Sequence, residues 1–180
     1  EYHSDIGYEP MPGEKIGCFG ENYSINENRY REYPNFDENK SDTLIVGDSF
    51  GFGDEVSDNE TISYYLNKNY QIATINAAVY GYGLDQALLR AKLLSNQHKF
   101  KNILLIISSG GYTRTNVIER NGITKPYFLK DGYSIKLIKP EKKNFKYSSR
   151  SRIIEKSLLL NYISHRLNIP LVIKEKVNQN

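Results

Sequence analysis

Three short apolar runs limit the folds open to this chain, because each gives way at its C-terminal end to a loop of glycine and small residues. They are Thr43-Leu44-Ile45-Val46-Gly47, Ile72-Ala73-Thr74-Ile75-Asn76 and Asn102-Ile103-Leu104-Leu105-Ile106-Ile107. Continuous apolar character marks strands buried on both faces, the habit of parallel sheets. The segments between them read as helices. Ser57 and Glu60 have the spacing of a capping box, which predicts a helix over about 59–69 with Ile62, Tyr65 and Leu66 on its inner face. Leu84, Ala87, Leu88, Ala91 and Leu94 repeat at helical spacing and predict a second helix over about 84–97. Residues 42–120 therefore read as a βαβαβ core, an α/β fold with a mainly parallel sheet.

The rest of the chain is read around that core. With 180 residues the chain has the length of a single domain, 1–180, able to bury a core. Residues 1–41 show no lasting helix or strand period, yet carry Tyr2, Tyr8, Ile16, Phe19, Tyr23, Ile25, Tyr30 and Tyr33. So many large apolar groups predict an irregular leader packed on the core. Over 125–138 two short runs flank Asp131-Gly132, the signature of a type I′ hairpin, here an insertion beside the main sheet. A helix is expected over 149–168, closed by Pro170, and Leu171-Val172-Ile173 reads as the start of a fourth strand.

Several classes are excluded. The longest apolar run, Ile103 to Ile107, is too short to span a bilayer, so any membrane association would need a segment outside this chain. A chain opening on Glu1 rather than Met implies that something preceded it. One cysteine, Cys18, permits no internal disulfide or Cys-rich zinc site, and three scattered histidines make a poor metal set. Charge is uneven: residues 1–60 carry 15 acids and 4 bases, net −11, while residues 61–180 carry 20 bases and 6 acids, net +14. No nucleic-acid motif accompanies the basic half, so the expected arrangement is an acidic leader lying across it, or two solvated faces, with no nucleic-acid partner.

Ligands of open parallel sheets bind beyond the carboxyl ends of the strands. Three unusual loops fall there: Gly47 to Gly53, Asn76 to Gly83 and Ser108 to Thr113. A serine directly after the first strand, among glycines that let backbone N–H groups come close, has the parts of a nucleophile with an oxyanion hole. A turn serine or helix cap is the structural alternative for Ser49. A phosphate cradle at Gly47–Gly53 is a weaker alternative, since the Gly-Lys-Ser/Thr end of a P-loop is absent.

Leu44-Ile45-Val46-Gly47-Asp48-Ser49-Phe50 followed by Asn76 through Gly81 resembles the SGNH (GDSL-type) hydrolases. The leader Asp5-Ile6-Gly7-Tyr8-Glu9-Pro10-Met11-Pro12-Gly13 and the stretch Lys125 to Gly132 are similar to one bacterial branch of that superfamily. The resemblance implies a flavodoxin-like three-layer α/β/α fold, here C-terminally incomplete. It implies Ser49 as nucleophile, the N–H groups of Ser49 and Gly81 as oxyanion donors, and Asp48 as brace of the loop. Gly111 falls where the family carries an asparagine donor, so that side-chain donor is missing. The implied chemistry is hydrolysis or transfer at a small ester or an acylated carbohydrate, such as a polysaccharide acetyl group, without metal or organic cofactor. Relatives of this organisation are often envelope-associated, which leaves envelope, periplasm and cytoplasm open. The family's Asp-x-x-His occurs nowhere in the chain. Either that pair lies beyond residue 180, or the chain is a non-catalytic relative that binds a glycan or a protein.

Overall fold

A computed structural model describes residues 1–17, 20–120 and 123–141, all within the compact unit Glu1–Lys143. The helix expected over 149–168, Pro170, the stub Leu171–Ile173 and Cys18 lie outside the described residues.

The leader is not irregular throughout. Its strand β1 (Tyr2–His3) pairs with β2 (Gly7–Tyr8), and β3 (Gly13–Ile16) pairs with β4 (Asn22–Ile25), both antiparallel. These strands are too short to leave a period in the sequence, and distant contacts hold them. Arg31 forms an antiparallel bridge to Ile25 on one side and to Asn76 on the other, which joins the leader ribbon to the core sheet.

In the core, β5 (Thr43–Gly47) runs parallel to β6 (Thr74–Asn76) on one side and to β7 (Asn102–Ile106) on the other. Chain reversal is made by α1 (Ser49–Phe52) and α2 (Ile62–Tyr70) after β5, and by α3 (Leu84–Ser95) after β6. The alternation of side chains along a strand divides β5 between two cores. Leu44 and Val46 pack with Ile75, Ala77, Tyr30 and the α3 residues Ala91 and Leu94. Ile45 packs with Ile25, Phe52 and Ala78, with Leu66 of α2 beside them. Each such fully buried side chain contributes about 1.5–3 kcal/mol through removal from water.

Four local expectations are corrected. The Ser57–Glu60 box closes a 3-10 turn over Asp58–Glu60, whereas α2 is capped by Thr61, whose Oγ1 accepts the Tyr64 N–H at 3.1 Å. Ile62 and Tyr65 face solvent, and Ser63 is the buried residue of α2. On α3, Leu88 is exposed, while polar residues are buried beside the sheet-packing stripe: Gln86 and Arg90 against the leader, and Asp85 against Lys125. The strand β7 is not buried as the first two are; Ile103, Leu104 and Leu105 are partly open at the sheet margin.

After β7 come α4 (Ser109–Thr113), then β8 (Glu119–Arg120) paired with β9 (Ile123–Thr124), then the hairpin of β10 (Tyr127–Asp131) and β11 (Ser134–Ile138). Asp131 pairs with Ser134, so the turn is Gly132-Tyr133, one residue later than expected. Only Gly132 has a positive φ, +60°, the type II′ pattern and not type I′. The acidic leader does lie against basic residues of the later chain. Asp5 pairs with Lys139 at 2.6 Å, and Glu9 pairs with Arg90.

Candidate functional site

The first loop leaves β5 through Gly47, which must be glycine: its φ is +154° and a Cβ would stand 1.7 Å from the Ile106 carbonyl oxygen of β7. Asp48 follows, fully buried. Its Oδ1 accepts the Phe50 N–H at 3.1 Å and caps α1. Its Oδ2 accepts the Ser108 N–H at 3.0 Å and the Ser108 hydroxyl, and lies 3.4 Å from Arg114 Nη1. One carboxylate thus ties together the loops after β5 and β7, the bracing role implied for it. Ser49 opens α1 and is only partly buried. Among the described residues its hydroxyl and its N–H have no hydrogen-bond partner. The side chain borders an open cleft of about 280 Å³ shared with Phe50, Asp54, Val56, Thr61 and Ile62. Within that cleft burial, then the nearby Glu21 and Glu55, hold the Asp54 carboxyl above the usual range.

The second loop packs on the first. Val79 N–H donates to Gly47 O at 3.1 Å, Asn76 Nδ2 donates to Gly51 O at 2.9 Å, and the rings of Phe52 and Tyr80 meet edge to face at 5.6 Å. Gly81 has φ +81°, and among the described residues nothing accepts its N–H. A Cβ there would stand 2.7 Å from Tyr8 Oη and 3.5 Å from Arg120 Cζ. Tyr8 comes from the leader, placed by β2; its hydroxyl donates to Tyr80 O at 3.0 Å and its carbonyl accepts from the Tyr82 hydroxyl. Burial pushes the Tyr8 phenol up to about 12, against the opposing pull of Arg120, and pushes Tyr82 higher still.

The leader is held by buried polar contacts to α3. Gln86 Nε2 donates to Ile6 O at 2.8 Å, and Arg90 donates to Glu9 and to Arg29 O. Beneath α1 the guanidinium of Arg31, fully buried, lies 4.6 Å from the Tyr23 ring and 5.2 Å from the Phe52 ring. It donates to Val56 O at 2.7 Å, and its Nε lies 3.1 Å from Asp58 Oδ1 as an ion pair without hydrogen-bond alignment.

Gly111 supplies no donor to the cleft. Its N–H donates to Ser108 Oγ at 3.0 Å, and a Cβ would fall 2.5 Å from Asp48 Oδ2 and 2.6 Å from Ile107 Cδ1. Glycine is required there because Asp48 and Ile107 occupy the space of a side chain. The residues to which sequence reasoning gave no role are Ser108, Arg114, Arg120 and Tyr8. Ser108 opens the third loop and Arg114 follows it, so position beyond a strand end was the available signal; Tyr8 lay in the leader stretch that carries the resemblance, and Arg120 offered none. His3 accepts the Asp5 N–H at 3.1 Å, and His98 lies beside Phe100 and Glu38, so neither imidazole attends Ser49; His165 is outside the described residues.

Among the described residues no group of three His, Cys, Asp or Glu side chains could hold a metal ion, and no helix is long and apolar enough to cross a membrane. Searches against protein-family models, curated proteins and solved structures gave no match to this chain.

Proposed function

We propose that this chain carries the nucleophile half of a serine acyl-hydrolase site of the SGNH type, acting on a small ester or on an O-acyl group of a carbohydrate. The observation that supports it most is Ser49 itself: a hydroxyl without a partner among the described residues, directly beyond the central strand, bordering a cleft, on a loop locked by the buried Asp48. The strand order β6-β5-β7 agrees with the start of a flavodoxin-like, three-layer α/β/α arrangement, and cores on both faces of β5 agree with helices on both sides. In the proposed reaction Ser49 Oγ bonds to the ester carbonyl carbon while its proton passes to a base. The carbonyl oxygen gathers charge against the N–H groups of Ser49 and Gly81. The C–O bond to the alcohol then breaks, the alcohol leaves with the proton, and water or a sugar hydroxyl takes the acyl group by the reverse sequence. No metal or organic cofactor enters this scheme.

A base is the part that the described residues supply least well. Asp54 borders the same cleft with a raised carboxyl, and a base works best near the ambient pH. A non-catalytic module that binds a glycan or a protein is the second reading, favoured by the filled space at Gly111 and by the distance of His3 and His98 from the site's contacts. A fluorophosphonate probe separates the two. Because the chain holds no Asp-x-x-His, residues 1–180 alone are expected to be inactive, and the test uses the full-length protein. There the hydrolase reading expects one covalent label on Ser49, lost in Ser49→Ala, together with 4-nitrophenyl acetate hydrolysis lost in the same variant. Hydrolysis that persists in Ser49→Ala, or a full-length protein that takes no label, refutes it.

A further inference from the structure

Beside the turn that carries Gly81, positive charge exceeds what the protein neutralises. Arg120 Nη1 donates to Gly81 O at 3.1 Å and Arg114 Nη1 donates to Tyr82 O at 3.1 Å, so two guanidiniums flank consecutive carbonyls of one turn. Asp48 lies 3.4 Å from Arg114, but its oxygens already accept from Phe50 N–H, Ser108 N–H and the Ser108 hydroxyl. Among the described residues no carboxylate is within ion-pair distance of Arg120. A guanidinium has five N–H donors in a planar fork. Among the described residues Arg120 spends one of them on a protein acceptor, and Arg114 spends only those on Nη1. Both side chains are partly buried, where like charges repel more strongly than in water. The Tyr8 hydroxyl adds a polar wall against Gly81.

We propose that Arg114 and Arg120 form an anion subsite on the turn around Gly81, and that it takes a carboxylate. The subsite does not rest on the hydrolase reading, since the cleft at Ser49 is lined by residues 49–62 and not by these arginines. Asp48, Arg114 and Arg120 sum to one positive charge, which a carboxylate balances and a phosphate dianion exceeds. The two oxygens of a carboxylate also match the fork of Arg120, which lacks the ion pair that Arg114 has.

The test uses the full chain with Ser49→Ala, so that nothing turns over, and follows chemical shifts during titration with two glutarate esters. Monomethyl glutarate carries a carboxylate and dimethyl glutarate does not. The expected result is about tenfold tighter binding of the monomethyl ester, the effect of a hydrogen bond to a charged group, weakening as salt is raised. Arg120→Gln keeps an N–H donor for Gly81 O but removes the charge, and is expected to abolish the preference. Arg120→Lys restores the charge and is expected to recover part of it. Equal affinity for the two esters overturns the proposal, as does a preference that survives Arg120→Gln. Inorganic phosphate binding more tightly than the monomethyl ester overturns the carboxylate assignment. A failure of Ser49 to take the fluorophosphonate label refutes the hydrolase reading alone, since the titration never uses that hydroxyl.

Discussion

Replacing Asp48 with alanine removes the one side chain that joins the first and third loops, and the size of the effect follows from its contacts. The cap on α1 is lost with the bond from Phe50 N–H, at about 1 kcal/mol. The Ser108 N–H and hydroxyl lose a charged acceptor in a buried setting, a contact worth about 1.5–3 kcal/mol. Arg114 loses its one carboxylate partner among the described residues, and the site gains a void. Together these come to about 4 kcal/mol, a large fraction of the roughly 5–15 kcal/mol by which domains are stable. With a slope of about 2 kcal/mol per molar, the urea midpoint is expected to fall by about 2 M. Ser49→Ala, one residue away, is expected to change stability by less than about 0.5 kcal/mol, since nothing holds that hydroxyl. Urea unfolding followed by circular dichroism measures both. Asp48→Ala within about 0.5 kcal/mol of wild type, or Ser49→Ala as costly as Asp48→Ala, refutes the division between brace and free hydroxyl.

Three further predictions concern the surroundings. Gly111→Ala forces a methyl against Asp48 and Ile107, and is expected to cost about 1–3 kcal/mol in the same assay, whereas an exposed hairpin glycine with open space has no such clash. Lys125 Nζ pairs with Asp85 inside the protein, so Lys125→Met strands a carboxylate and is expected to lose about 3–5 kcal/mol, with Asp85→Asn in the same chain recovering part. Tyr8 sets an alkaline limit. A phenol whose folded value is raised to about 12 from the ordinary 10 favours the fold while it is neutral. Its contribution is complete below pH 10 and is lost as pH rises through 12. Tyr8→Phe is therefore expected to flatten the fall in unfolding free energy between those values; parallel curves for the two proteins refute this assignment.

The backbone of the core was legible because it is built from periodic or continuous apolar residues. The run at 43–47 became β5, the helical spacing at 84–94 became α3, and the hairpin formed with its turn one residue later and of type II′. What escaped reading has two causes. The two- and four-residue strands of the leader pair with near neighbours in sequence, but are too short to show an alternating pattern. The inner face of α3 misled because it depends on contacts between distant residues: Arg90 and Gln86 look like surface residues until Glu9 and Ile6 arrive to satisfy them. At the site, Ser49 and Asp48 were visible from their block after an apolar strand. Arg114 and Arg120 were not, because they gain meaning only where separate loops converge beyond the strands.

Arg31 ties the N-terminal ribbon to β6 and sits as a cation wedged under α1. A shortened chain starting near Asp42 would keep the whole βαβαβ core and Ser49 on paper. It would nevertheless expose the outer margin of β6 to any passing strand, and it would remove the prop from below the helix that carries Ser49. The first forty residues therefore belong to the foundation of the site, and a useful minimal version of this protein has to keep them.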